Sequence, residues 1–68
     1  MTNTDKLMSI VREQGFTKVD IASFLGITRQ GLHKKLSNES EFKQSEIEKL
    51  STMLKLSVEQ EREIFFAQ

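Results

Sequence analysis

The chain has 68 residues, ten basic and ten acidic side chains, and no net charge. That length makes one domain, and one so small buries only about 60% of the surface its unfolded chain exposes. With no cysteine and a single histidine, His33, the sequence excludes a disulfide framework, a thiolate metal site, a cysteine nucleophile and a multi-histidine centre.

The first predicted element runs from about Thr4 to Gln14, with Leu7, Met8, Ile10 and Val11 on its apolar side and Gly15 as its stop. Thr17 then caps a second helix, and Asp20, three residues on, favours the helix dipole and completes a loose capping box. Ile21, Ala22 and Leu25 form the apolar face of that helix. Ala22 comes four residues before Gly26, where a small side chain lets two helix axes approach. Gly26 supplies the left-handed backbone angle that ends the helix. Ile27 plugs the turn, and Thr28 caps a third helix from about Arg29 to Leu36 that buries Leu32 and Leu36.

Ser37-Asn38-Glu39-Ser40-Glu41 reads as a polar loop, and Phe42 as the anchor that returns it to the core. Ser45 with Glu48 forms the capping box expected to open a fourth helix, whose apolar face is Ile47, Leu50, Met53 and Leu54. Leu56 links it to a last helix, about residues 58–68, opened by Ser57 with Gln60. The five phenylalanines, Phe16, Phe24, Phe42, Phe65 and Phe66, are expected mostly in the core. Phe65 and Phe66 point about 100° apart on one helix, so either one of them, with Ile64, is left for a partner chain, or the terminal helix lies in a groove deep enough to cover both.

The charge is unevenly placed. Residues 18–36 carry Lys18, Arg29, Lys34 and Lys35 against Asp20, a surplus of three positive charges. Residues 37–68 carry four bases against seven acids, and residues 1–17 balance. One face can therefore meet phosphates while another repels them. The third helix exposes Arg29, Gln30, His33 and Lys34, long donors suited to base edges in a DNA major groove. Gly31 in the same helix costs about 1 kcal/mol relative to alanine. Its missing side chain lets the helix approach DNA or a neighbouring helix, or else it marks a neutral surface position.

Five short helices at this spacing, with Ile21-Ala22, Gly26-Ile27-Thr28 and Leu32 at their offsets, resemble the Cro and phage-repressor family of helix-turn-helix DNA-binding domains. The resemblance spans residues 4–66. The runs GLHKKLSNESEF, SEIEKL and EIFF resemble a subgroup of small phage regulators made of this domain alone. It implies an all-α, lambda-repressor-like fold, with the motif at about 17–36 and a C-terminal helix that could dimerise. In two places the chain departs from the family. Lys18 stands where a glutamine often opens the first motif helix, and Lys35 replaces an aliphatic residue, leaving Leu36 the packing role.

Carried onto this chain, the resemblance implies base contacts from Arg29, Gln30, His33 and Lys34. Phosphate contacts would come from Lys18, Thr28, Lys35, Asn38, Lys43 and Gln44. The implied function is a sequence-specific Cro-like repressor of phage or prophage origin, a homodimer at least on its double-stranded operator. A protein-interaction module of the same fold, an antirepressor or antitoxin-like partner, is the alternative, supported by the neutral total charge and acidic tail. No metal, cofactor or small-molecule ligand is expected. Nor is catalysis, since there is no phosphate loop and no serine–histidine–acid set. The longest apolar run, Ile64-Phe65-Phe66-Ala67, is far below the roughly 18 residues of a membrane span, and nothing resembles a signal peptide. A soluble, cytoplasmic protein is expected.

Overall fold

A helix can start only where something accepts the N–H groups that its first turn leaves unpaired. The computed structural model describes residues 1–66, in which five helices begin in this way. Asn3 accepts from the Lys6 N–H at the start of α1 (Thr4–Glu13). Thr17 opens α2 (Lys18–Leu25) with the expected capping box. Its hydroxyl accepts from the Asp20 N–H, and the Asp20 carboxylate accepts from the Thr17 N–H at 2.8 Å. Thr28 opens α3 (Arg29–Leu36), accepting from the Gly31 N–H at 2.9 Å. Ser57 and Gln60 form a second box at α5 (Val58–Glu61).

The start of α4 (Gln44–Leu54) differs from the expectation. Its cap is Lys43, not Ser45, and Glu46, not Glu48, accepts the cap N–H at 2.8 Å. The cause is tertiary: Glu46 is buried and bound to Lys35 of α3 at 2.9 Å, which fixes the helix register two residues earlier. The last element also differs. Instead of one helix to residue 68, α5 has one turn and runs into a π-helical turn, Arg62–Phe66. The remainder of the expected terminal helix, residues 67–68, lies outside the described residues.

Among the described residues there is no strand, and no helix is long and apolar enough to cross a membrane. The core is one cluster. It takes Leu7, Met8 and Val11 from α1, Ile21, Ala22 and Leu25 from α2, and Leu32 and Leu36 from α3, then Phe42 and the inner faces of α4 and the π-helical turn. Phe42 anchors the polar loop as expected, meeting Phe65 edge to face at 5.6 Å between ring centroids. Ile64 and Phe65 both turn inward, whereas Phe66 stays half exposed. Ile64 is thus core and not a partner-facing residue. Phe24, expected inside, is 47% exposed, because the buried face of α2 is already filled by Ile21, Ala22 and Leu25.

The helix ends are closed as deliberately as the starts. Gly26, at φ 71°, ends α2, and three residues later α3 begins. Among the described residues two others besides glycine take the same left-handed form, Asn38 at φ 66° and Lys55 at φ 54°. They differ in what their side chains do. Asn38 accepts from the Thr2 N–H at 2.7 Å and donates to the Thr2 carbonyl at 3.2 Å, tying the N-terminal segment to the end of α3. Asn3 N–H donates to the Ile64 carbonyl at 2.7 Å, and the Thr4 hydroxyl to that of Leu36. Lys55 makes no such tie and stays exposed. Glycine should therefore act in opposite directions at the two positions. Lys55→Gly is expected to stabilise by about 0.5–1 kcal/mol by relieving the left-handed strain. Asn38→Gly relieves it too but loses two hydrogen bonds, for a net loss of about 1 kcal/mol. Urea unfolding of the two variants checks both signs.

Candidate nucleic-acid interface

The positions of Leu32 and Leu36 decide which side of α3 faces outward. Both are buried, with Gly31 and Lys35 half-buried beside them. Arg29, Gln30, His33, Lys34 and Ser37 therefore fall on the opposite side and are exposed. Gln30 lies near the middle of that face, and His33 and Lys34 flank it one turn on. Arg29 stands at the shoulder, beside α2.

Lys18, the first residue of α2, meets this face from the side. Lys18, Arg29, Gln30 and His33 line one depression of about 320 Å³ floored by Leu32. A second, of about 290 Å³, continues from Lys18 and His33 past Leu36 and Ser37 to Asp5 and Arg12 of α1. The three expected base contacts Arg29, Gln30 and His33 thus share one concave surface with the expected phosphate contact Lys18. Lys34 is on the same exposed face but borders neither depression. Among the described residues Arg12, Lys18, Arg29 and Lys34 take part in no ion pair, so their charges are available to a ligand.

Arg12 was not foreseen from the sequence. Its place in α1 gave no sign that the last turn of that helix reaches Lys18 and His33; only the packing of α1 against the pair α2–α3 brings it there. Thr28 is exposed, and its oxygen accepts the Gly31 N–H, leaving its own O–H free to donate. A Cβ at Gly31 would sit 3.1 Å from the Thr28 oxygen and would meet no neighbouring helix within 4 Å. The missing side chain therefore does not serve a close approach of α3 to another helix.

Two expected phosphate contacts are otherwise engaged. Lys35 turns inward: its ammonium binds the Glu46 carboxylate at 2.9 Å, donates to the Glu41 carbonyl at 3.1 Å and lies 5.8 Å from the Phe42 ring centre. Its side chain is largely buried, and its charge is used inside the protein. Asn38 is held by Thr2, as described. Lys43 and Gln44 are exposed at the start of α4 and join neither depression. Among the described residues no three His, Cys, Asp or Glu side chains are grouped so as to hold a metal ion. Comparison of the chain with known protein families, with characterised proteins and with solved structures finds no match.

Opposed influences act on the Glu46 carboxyl. Burial pushes its pKa up, but the Lys43 N–H, the Lys35 hydrogen bond and the fields of Lys35 and Lys43 outweigh that and hold it below its ordinary value of 4.5. A carboxyl lowered in the folded state stabilises the fold above its unfolded-state value and loses that contribution as pH falls through the folded-state value. Unfolding free energy should therefore drop on acidification below about pH 5, and the drop should be smaller in Glu46→Gln. Lys35→Met is expected to cost about 1–3 kcal/mol by leaving a buried carboxylate without its cation, and Lys35→Met/Glu46→Gln to recover most of it. Denaturant titrations across pH, run as a double-mutant cycle, check both.

Proposed function

We propose that this protein is a sequence-specific DNA-binding regulator of the Cro and phage-repressor type, with a lambda-repressor-like fold in which α2 and α3 form the helix-turn-helix. The observation that carries the reading is the division of α3. Leu32 and Leu36 are buried, while Arg29, Gln30, His33 and Lys34 are exposed beside the unpaired cations Lys18 and Arg12. On that reading α3 lies in the major groove with its N-terminal turn towards the bases. Arginine suits guanine O6 and N7, and glutamine suits adenine N6 and N7. Lys18, Arg12 and Thr28 hold the phosphates that fix the register.

A homodimer on a two-fold operator follows, with half-sites about 34 Å apart. Support for a second copy comes from Phe66, which remains 52% exposed beside Phe42, Ile47 and Phe65. The regulator would act by occupying the operator and blocking polymerase. A partner-binding module without DNA affinity is the second reading, favoured by the zero net charge and the seven acids of residues 37–68.

Fluorescence anisotropy with DNA from the region around the coding sequence, measured over a range of salt, separates the two. The DNA reading expects specific binding that weakens steeply with salt, by about one power of concentration for each phosphate neutralised. Arg29→Ala should relax base preference. Lys18→Ala and Arg12→Ala should each weaken binding to all sequences and lower the salt slope by about one. Lys35→Met, whose charge is internal, should leave the slope unchanged. Absence of salt-dependent binding to any duplex, with a protein partner recovered by co-purification, would establish the second reading.

A further inference from the structure

Ser37 stands seven residues beyond Gln30, so the two lie on one ridge of α3 about two turns, or roughly 10 Å, apart. Past Ser37 the chain reverses. Asn38 is left-handed, and the N–H groups of Glu39 and Ser40 both donate to the Lys34 carbonyl, at 2.9 and 3.2 Å. The reversal folds Glu39 back over the helix end, where the Ser37 hydroxyl donates to its carboxylate at 3.0 Å, sharing its proton with the Lys34 carbonyl at 3.1 Å. Ser37 also lines the depression that contains Lys18 and His33. The Glu39 carboxylate, exposed and without a cationic partner among the described residues, is therefore braced at one end of the exposed face of α3, whose other charged side chains are Arg29 and Lys34.

Almost everything that a carboxylate meets in a major groove repels it. Guanine presents N7 and O6, adenine N7, thymine O4, and both walls present phosphates; only the amino groups of cytosine and adenine donate. The adenine amino group stands next to the N7 lone pair, which would face the second carboxylate oxygen. The cytosine amino group stands next to a C–H and offers no such repulsion.

Resting on the DNA-binding reading above, we propose that Glu39 is a specificity-determining residue that accepts a hydrogen bond from the N4 amino group of a cytosine. That cytosine lies about three base pairs from the base read by Gln30, since roughly 10 Å spans about three steps of 3.4 Å. Duplexes without it leave the carboxylate unpaired among acceptors, so discrimination comes from repulsion as much as from the bond. Ser37 is the positioning residue that holds the carboxylate on the ridge.

The test is selection from a randomised duplex pool followed by affinity measurement, with the wild-type chain, Glu39→Gln and Ser37→Ala. Thermal unfolding first confirms that each variant is folded. The wild-type protein should enrich cytosine at that distance and lose about tenfold in affinity when it is replaced. Glu39→Gln should lose most of that preference, bind the replaced duplexes more tightly, and keep the preferences set by Arg29 and Gln30. Ser37→Ala should weaken the cytosine preference alone. Equal cytosine preference in wild type and Glu39→Gln, or none at that distance in a wild-type protein that selects other bases, overturns the proposal. A wild-type protein that binds no duplex overturns the DNA reading itself and this inference with it.

Discussion

An eight-residue helix has little stability of its own in water, because nucleation costs more than so few hydrogen bonds return. The exposed donors of α3 are therefore only as well placed as the contacts that hold the helix down. Leu32 and Leu36 fix its rotation by burial, and Thr28 fixes its start. Its end is held three ways. The Thr4 hydroxyl donates to the Leu36 carbonyl, two loop N–H groups donate to that of Lys34, and Lys35 reaches Glu46 at the start of α4. Every side chain of α3 that is not spent on holding it faces outward. The proposed reading face is what remains of the helix once its anchors are subtracted.

The electrostatics follow from the same division. The segment from Thr17 to Leu36 holds the positive surplus, but the position of each charge matters more than the sum. Lys35 is neutralised internally by Glu46, while Arg12, from a segment that balances to zero, joins Lys18 beside α3. The cationic surface is thus displaced towards α1 and α2, and the loop that follows α3 carries Glu39 and Glu41. A molecule with no net charge can still present a directed field of this kind.

Much of this was legible in the sequence wherever a local signal had a single reading. Thr17, Thr28 and Ser57 each precede an apolar period, and each caps the helix expected of it. At α4 the local signal, Ser45 with Glu48, points to a start two residues too late: Lys43 has no side-chain acceptor to mark it as a cap, and the pairing of Glu46 with Lys35 lies across the fold. Composition marked Asn38 as polar loop, but it does not encode a left-handed backbone or a partner thirty-six residues away. Phe24 shows the limit of hydrophobicity as a guide: α2 has room for one buried face, and three neighbouring residues had already filled it. Arg12 needed the docking of α1, which no spacing within the chain reveals. The roles given to the exposed residues of α3 remain proposals drawn from their chemistry and placement.

The bond from the Asn3 N–H to the Ile64 carbonyl joins points that are sixty-one residues apart in the chain. With Thr2 held by Asn38 and Lys6 paired with Glu63, it closes the fold into a ring. A ring cannot loosen at one end only. Releasing the C-terminal turn frees residues 2–4, and with them the Thr4 tie on the last turn of α3 and the Thr2 tie on Asn38 just beyond it. Such a fold should open as a single unit, and the Asn3 amide should exchange with solvent only when the whole domain does. A proton on an exposed residue near one end of the chain would then report the global unfolding free energy, a reading usually obtained from amides deep in a core.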